Sequence, residues 1–208
     1  GAASVFRNIR ACVQIDSLKE PRPGHRYYMG LDLAKFNDFT VMTVVDRLTH
    51  EVVYWDRFNQ IPYTLQKERI QTVAKKYGTH IVMDSMNVGA SIGDDLRAMG
   101  LRVEDFKASG NKSPDWQKKG SKELLIEKLS TFLQEVNVKI PPNETLIGEL
   151  EAFGYKISDS GNISYSAPQG LHDDCVNSLA LAVWNLPGKL KKENIEIARS
   201  KPNKIKKT

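Results

Sequence analysis

The chain of 208 residues, 40% of them hydrophobic, is long enough for one well-formed core; it holds no apolar run long enough to span a membrane, and none of its residues shows the charged-then-apolar pattern expected of a secretory signal. Two cysteines, Cys12 and Cys175, exclude a disulfide framework and are expected as small core residues in a reducing compartment. The net charge is +5, yet residues 188–208 alone hold eight Lys/Arg against two Glu; the remaining 22 basic and 23 acidic residues nearly cancel, so the basicity belongs to the tail.

Residues 1–25 show weak periodicity and end in the Pro/Gly-rich "KEPRPGH", which predicts a linker. Three runs rich in β-branched and aromatic residues follow, "YYMGLDLA" (27–34), "FTVMTVVD" (39–46) and "EVVYWDRF" (51–58), and their short separators predict an antiparallel meander. In "LQKERIQTVAKKYG" (65–78), Leu65, Ile70, Val73, Ala74 and Tyr77 form a helical stripe stopped by Gly78. The run "HIVMD" (80–84) is nearly all apolar, as expected of a central parallel strand covered on both faces. A helix over about 88–99 and a strand over 101–106 come next.

Residues 107–121, "KASGNKSPDWQKKGS", read as a basic, Gly/Pro-punctuated loop. Helices are predicted over 122–136 and 144–154, with a short extended piece between them, and then a hairpin over 155–166 turning at Asp-Ser-Gly-Asn. The last element, in "GLHDDCVNSLALAVW" (170–184), is a helix whose body is apolar nearly all round: Val176, Leu179, Ala180, Val183 and Trp184. The domain organisation expected is a linker remnant at 1–25, one α/β domain at 26–187, and a flexible basic tail at 188–208.

The common catalytic and cofactor motifs are absent. There is no G-x-S-x-G, no H-E-x-x-H or C-x-x-C, no G-x-G-x-x-G and no phosphate-binding G-x-x-x-x-G-K-[ST], so the chain by itself is not expected to hydrolyse ATP. What stands out is acids in costly places. Asp32 lies within the first strand, on the face shared with Gly30 and Ala34. Asp84 ends the apolar strand, at the carboxyl edge where α/β sheets collect ligands. Asp173 and Asp174 open the apolar last helix, beside His172, where acids also complement the helix dipole. If these acids converge, their repulsion calls for cations between them, and an all-oxygen donor set favours Mg²⁺ or Mn²⁺. Two such ions suit phosphodiester cleavage.

"GLDLA" on the first strand, "VMDSMNVG" at the fourth and "HDDCVNSLALA" on the last helix, in a β-β-β-α-β-α-β-α order, resemble the RNase H-like (retroviral-integrase-like) nucleases. More narrowly, "YMGLDLAKFNDFTVMTVVD", "DSMNVGASIGDDL" and "LHDDCVNSLALAVWN" resemble the nuclease domain of the large terminase subunit of tailed bacteriophages, over residues 26–187. The fold implied is an RNase H-like mixed sheet, three antiparallel strands then parallel strands, with flanking helices, an added β-hairpin and a C-terminal helix. The activity implied is a metal-dependent endonuclease that cuts double-stranded viral DNA during genome packaging, in the cytoplasm of the infected host. Its partners would be double-stranded DNA and the ATPase motor domain of the full-length protein, with the portal ring and the small terminase subunit beside them.

Carried over by motif, Asp32, Asp84 and Asp174 are the catalytic metal ligands, with Asp173 as the competing choice on the helix and Asp38 as an extra acid near a second metal. Asn177 stands where related resolvases carry a further acid. Lys107, Lys112, Lys118 and Lys119 are the candidates for sequence-independent phosphate contacts, with Trp116 packing beneath them. The rival readings are a Holliday-junction resolvase or transposase of the same fold, and a non-catalytic DNA- or portal-binding module.

Overall fold

Alternation along the first long strand divides the molecule into two cores. Met29 and Leu31 point to one face and Gly30 and Asp32 to the other, as the twofold period of a strand requires. The computed structural model of the chain describes residues 3–34, 38–84, 89–106 and 121–188. Its elements in chain order are β1 (Ala3–Ser4), a 3₁₀ turn (Arg10–Cys12), β2 (Tyr27–Asp32), β3 (Thr40–Asp46), β4 (Val52–Phe58), α1 (Tyr63–Tyr77), β5 (His80–Met83), α2 (Gly89–Ala98), β6 (Arg102–Asp105), α3 (Ser121–Gln134), α4 (Glu144–Ala152), β7 (Gly154–Ile157), β8 (Ile163–Ser166) and α5 (Asp174–Val183).

The main sheet runs β4-β3-β2-β5-β6. The meander β2-β3-β4 is antiparallel, while β2-β5 and β5-β6 are parallel, so the mixed sheet predicted from sequence is the one observed. Helices α1 and α2 cover the face of Met29, Leu31, Ile81 and Met83; α3, α4 and α5 cover the face of Val41, Val45 and Val82. Both faces of β5 are thereby closed, which is why its sequence carries no polar alternation. Among the described residues no helix is long and apolar enough to cross a membrane.

Two expectations change. The segment before Tyr27 is not a detached linker: Phe6, Ile9, Cys12 and Ile15 are buried in the α3–α5 core, Phe6 stacks on Phe153 at 5.4 Å, and β1 pairs with β7 of the hairpin. Short, irregular backbone hid this segment, because a 3₁₀ turn and an isolated bridge from Val13 to Ile140 leave no extended period to detect. On α1, Leu65 is exposed at 52%, and Gln66 takes the buried place beside it. Gln66 tolerates burial because its amide is matched at both ends, donating to the Ile61 carbonyl at 2.7 Å and accepting from the Thr40 hydroxyl at 2.7 Å.

Candidate metal centre

The site begins with a glycine. A Cβ at Gly30 would lie 1.9 Å from the Ser178 carbonyl oxygen and 2.4 Å from the Ala182 nitrogen, so only glycine lets α5 lie this close against β2. The Ser178 hydroxyl donates to the Gly30 carbonyl at 2.8 Å and also meets the Thr43 hydroxyl at 2.8 Å, which pins the helix to two strands. Asp174, Ser178 and Ala182 are successive members of one i, i+4 stripe. The stripe that packs on Gly30 therefore carries Asp174 one turn further, toward the end of β2 where Asp32 stands.

Electrostatics bears out the approach. The Asp32 carboxyl is held well above the ordinary carboxylate range, first by burial and then by the negative charge of Asp174; a hydrogen bond from Asn177 opposes the shift, Asp173 adds to it and Lys122 weakly opposes it. Asp174, 8% exposed, is pushed up to about 6, again first by burial. The Phe39 amide donates to it at 3.3 Å and opposes that rise, while the charges of Glu149, Asp38 and Asp173 add to it. His172 Nδ1 lies 3.5 Å from the same carboxyl, its ring edge-on to Phe39 at 5.1 Å, so it buttresses Asp174 from outside.

Asp84 reaches the site through strand register. Gly30 pairs with Val82 and Leu31 with Met83 in the parallel β2-β5 ladder, so Asp32 and Asp84 leave the sheet side by side. Val82 belongs to the core beneath α5, and the alternation of β5 continued by two residues assigns Asp84 to that same face. Asp84 is exposed there. Asp38 is exposed one residue before Phe39. Asp173 is the N-cap residue of α5 and turns to the flank, where its carboxylate meets Lys122 at 3.4 Å and the Asn177 amide at 3.3 Å.

Thus the structure brings Asp174 toward Asp32, sets Asp84 at the neighbouring strand end, and leaves Asp173 and Asp38 at the margins. Among the described residues no three His, Cys, Asp or Glu side chains form a closed metal cage. The donor chemistry nevertheless suits a hard divalent ion: the converging acids offer carboxylate oxygens, two of them forced toward protonation, Asp32 by burial and the charge of Asp174, and Asp174 by burial and the charges of Glu149, Asp38 and Asp173. Lys107, Lys112, Lys118, Lys119 and Trp116 lie outside the described residues, as does the tail from Lys189 onward.

Sequence reasoning passed over Glu149. It is 9% exposed on α4, and its carboxylate accepts from the Cys175 amide at 2.7 Å while lying 3.5 Å from Arg57. The signal was present: in "ETLIGELEAFG" an acid shares the helical face of Leu146, Leu150 and Phe153.

Comparison with known proteins agrees with this architecture. No protein-family model matches the chain. The large terminase subunit of Thermus virus P23-45 is 33% identical over 190 residues, and that of Thermus phage G20c is 32% identical over the same length. Each match covers 91% of this chain but 37% of the relative, so the chain spans little more than a third of their length. The crystal structure of the large terminase nuclease from phage G20c superposes with a TM-score of 0.76 at 28% identity, covering 88% of this chain and 99% of that one. The nuclease domain of the Thermus phage P74-26 large terminase gives 0.75 at 27% identity, covering 88% and 96%. The G20c nuclease has also been solved with bound magnesium, cobalt and zinc. The chain is a homologue of large terminase subunits and has the RNase H-like α/β fold of their nuclease domains.

Proposed function

We propose, from this homology and from the geometry at the end of β2, that the chain is a metal-dependent endonuclease that cuts double-stranded viral DNA during genome packaging. The observation that carries the reading is the Gly30–Ser178 contact, which turns Asp174 toward Asp32 while strand register sets Asp84 beside Asp32. Asp32, Asp84 and Asp174 are the residues that would hold divalent cations, Mg²⁺ or Mn²⁺, with Asp38 and Asp173 at the edge of a second position. When bound there, such ions supply an acidified water and neutralise charge on the phosphate and the departing oxygen.

The protein's own part is placement. The packed stripe of α5 gives the Asp174 carboxylate a fixed bearing, and the Phe39 amide holds one of its oxygens. Asn177 hydrogen-bonds the Asp32 carboxyl and also reaches Asp173 at 3.3 Å, so an amide joins the two acids without adding charge. A neutral side chain there lowers the negative charge available to a second ion, which predicts one tight and one weak position. Phosphate contacts fall to Lys107, Lys112, Lys118 and Lys119 and to the basic tail, giving sequence-independent, salt-sensitive binding. In the complete protein the domain would work beside an ATPase motor, with the portal ring and the small terminase subunit as neighbours, in the cytoplasm of the infected host.

The test is plasmid cleavage with Mn²⁺ or Mg²⁺ against an EDTA control. Asp32→Ala and Asp84→Asn are expected to abolish cutting while preserving the fold. Full cleavage by either variant, or cleavage that survives EDTA, would remove the proposed centre.

A further inference from the structure

The first turn of α5 is held by a residue from another helix. Asp173 occupies the N-cap position of α5, yet its side chain makes no capping hydrogen bond. By contrast, α4 is capped in the ordinary way, Asn143 accepting from the Leu146 amide at 3.1 Å. On α5 the Cys175 amide is instead taken by Glu149 of α4, at 2.7 Å. That amide follows Asp174 directly, so Glu149 grips the backbone immediately beside the proposed metal ligand.

Glu149 is itself held. Arg57 of β4 lies 3.5 Å from its other oxygen, and the Arg57 guanidinium sits 3.4 Å above the ring of Phe39. Phe39 is the residue whose amide donates to Asp174. Two short chains of contact therefore lead from the Glu149–Arg57 pair to the same carboxylate, one through the Cys175 backbone and one through Phe39. Strand register supports the arrangement: Asp32 pairs with Val41 and Val41 with Arg57, so ligand and clamp lie in one row across the sheet beneath α5. Glu149 is 9% exposed, so this grip on the first turn of α5 comes from inside the packing of α4 against α5 and not from a solvent-facing cap.

We infer that Glu149 is a positioning residue of the metal centre: reaching across from α4, it caps α5 in place of the helix's own N-cap and, with Arg57 and Phe39, fixes where the Asp174 carboxylate points. The inference rests on the metal-centre reading above. Residues that orient metal ligands from behind are worth about 10- to 100-fold in metal affinity when lost.

The experiment is Mn²⁺ titration of the whole chain by calorimetry, paired with amide hydrogen exchange at Cys175 in metal-free protein. Glu149→Ala is expected to weaken Mn²⁺ binding roughly tenfold or more and to speed exchange at Cys175. Glu149→Gln keeps an acceptor for that amide without the charge, and is expected to recover most of both losses. Wild-type affinity in Glu149→Ala would overturn the role, and so would equal losses in the Ala and Gln variants, because charge alone would then be at work. Should Glu149→Ala fail to fold, Glu149→Asp keeps the charge but withdraws it from the amide; it is expected to bind Mn²⁺ weakly, and wild-type binding would overturn the role. A wild-type chain that binds no Mn²⁺, or an Asp174→Asn variant that binds it normally, would overturn the metal centre itself, a result separable from failure of the clamp alone.

Discussion

Ser178 donates its hydroxyl to the carbonyl of Gly30 at 2.8 Å, and this contact between the last helix and the central strand sets the position of Asp174. The helix can approach only because residue 30 has no side chain. Gly30→Ala would thrust a methyl group into the backbone at Ser178 and Ala182, neither of which can rotate away. We expect a loss of about 3 kcal/mol, the upper range for overpacking a core, measured as a shift in the urea midpoint. Cleavage should fall further than stability alone explains, because α5 must move. Wild-type stability in this variant would contradict the packing described.

Asp174 gives the metal-free protein a pH dependence of defined sign. Its carboxyl titrates near 6 in the folded chain against an ordinary value of 3.8. Between those values the folded state holds the extra proton, so stability falls as pH rises and the full cost, about 2–3 kcal/mol, is present above pH 6. Asp32 shifts in the same direction. In EDTA, Asp174→Asn should therefore melt several degrees higher than wild type at pH 7.5, with the difference vanishing near pH 4. Added Mn²⁺ should stabilise wild type and leave the variant unmoved. A variant that melts lower than wild type at neutral pH in EDTA would argue against the crowding of these acids.

Phe6 tests the packing of the N-terminal segment. It is 4% exposed and stacked on Phe153, so Phe6→Ala should cost about 3 kcal/mol in urea unfolding. A segment that merely tethers the domain would give no measurable change.

The two thiols should be inert in the native protein. Cys12 and Cys175 are both 0% exposed; burial pushes the Cys12 thiol up to about 11, and burial followed by the neighbouring Glu149 pushes Cys175 higher. A disulfide reagent at pH 8 should find no fast-reacting thiol, and two once the chain is unfolded in guanidinium. Rapid native labelling would show that the α3–α5 core opens.

The sheet was legible because its signal is local. β-branched runs separated by short turns announced β2, β3 and β4, and an unbroken apolar run announced a strand covered on both faces. The N-terminal segment was not, since Phe6, Ile9 and Cys12 sit on irregular backbone that displays no period. Leu65 and Gln66 show a further limit: hydrophobicity ranks a leucine above a glutamine for burial, but only the fold supplies the Ile61 carbonyl and Thr40 hydroxyl that make the glutamine the better fit.

For the proposed site, composition and order alone single out Asp32, Asp84 and the Asp173–Asp174 pair as candidates, because a carboxylate in an apolar strand or at the mouth of a buried helix is costly wherever it occurs. The choice between Asp173 and Asp174 lay beyond the sequence. A helix apolar on nearly every side has no periodicity to say which side meets the sheet. The structure places Asp174 on the sheet-facing stripe through Gly30, whose missing side chain fixes the line of approach, and turns Asp173 aside to Lys122. Glu149 likewise shows its purpose only in three dimensions, since its partner amide lies 26 residues away along the chain. The chain thus encodes which chemistry is available; the close approach of α5 to β2 decides which carboxylate faces which.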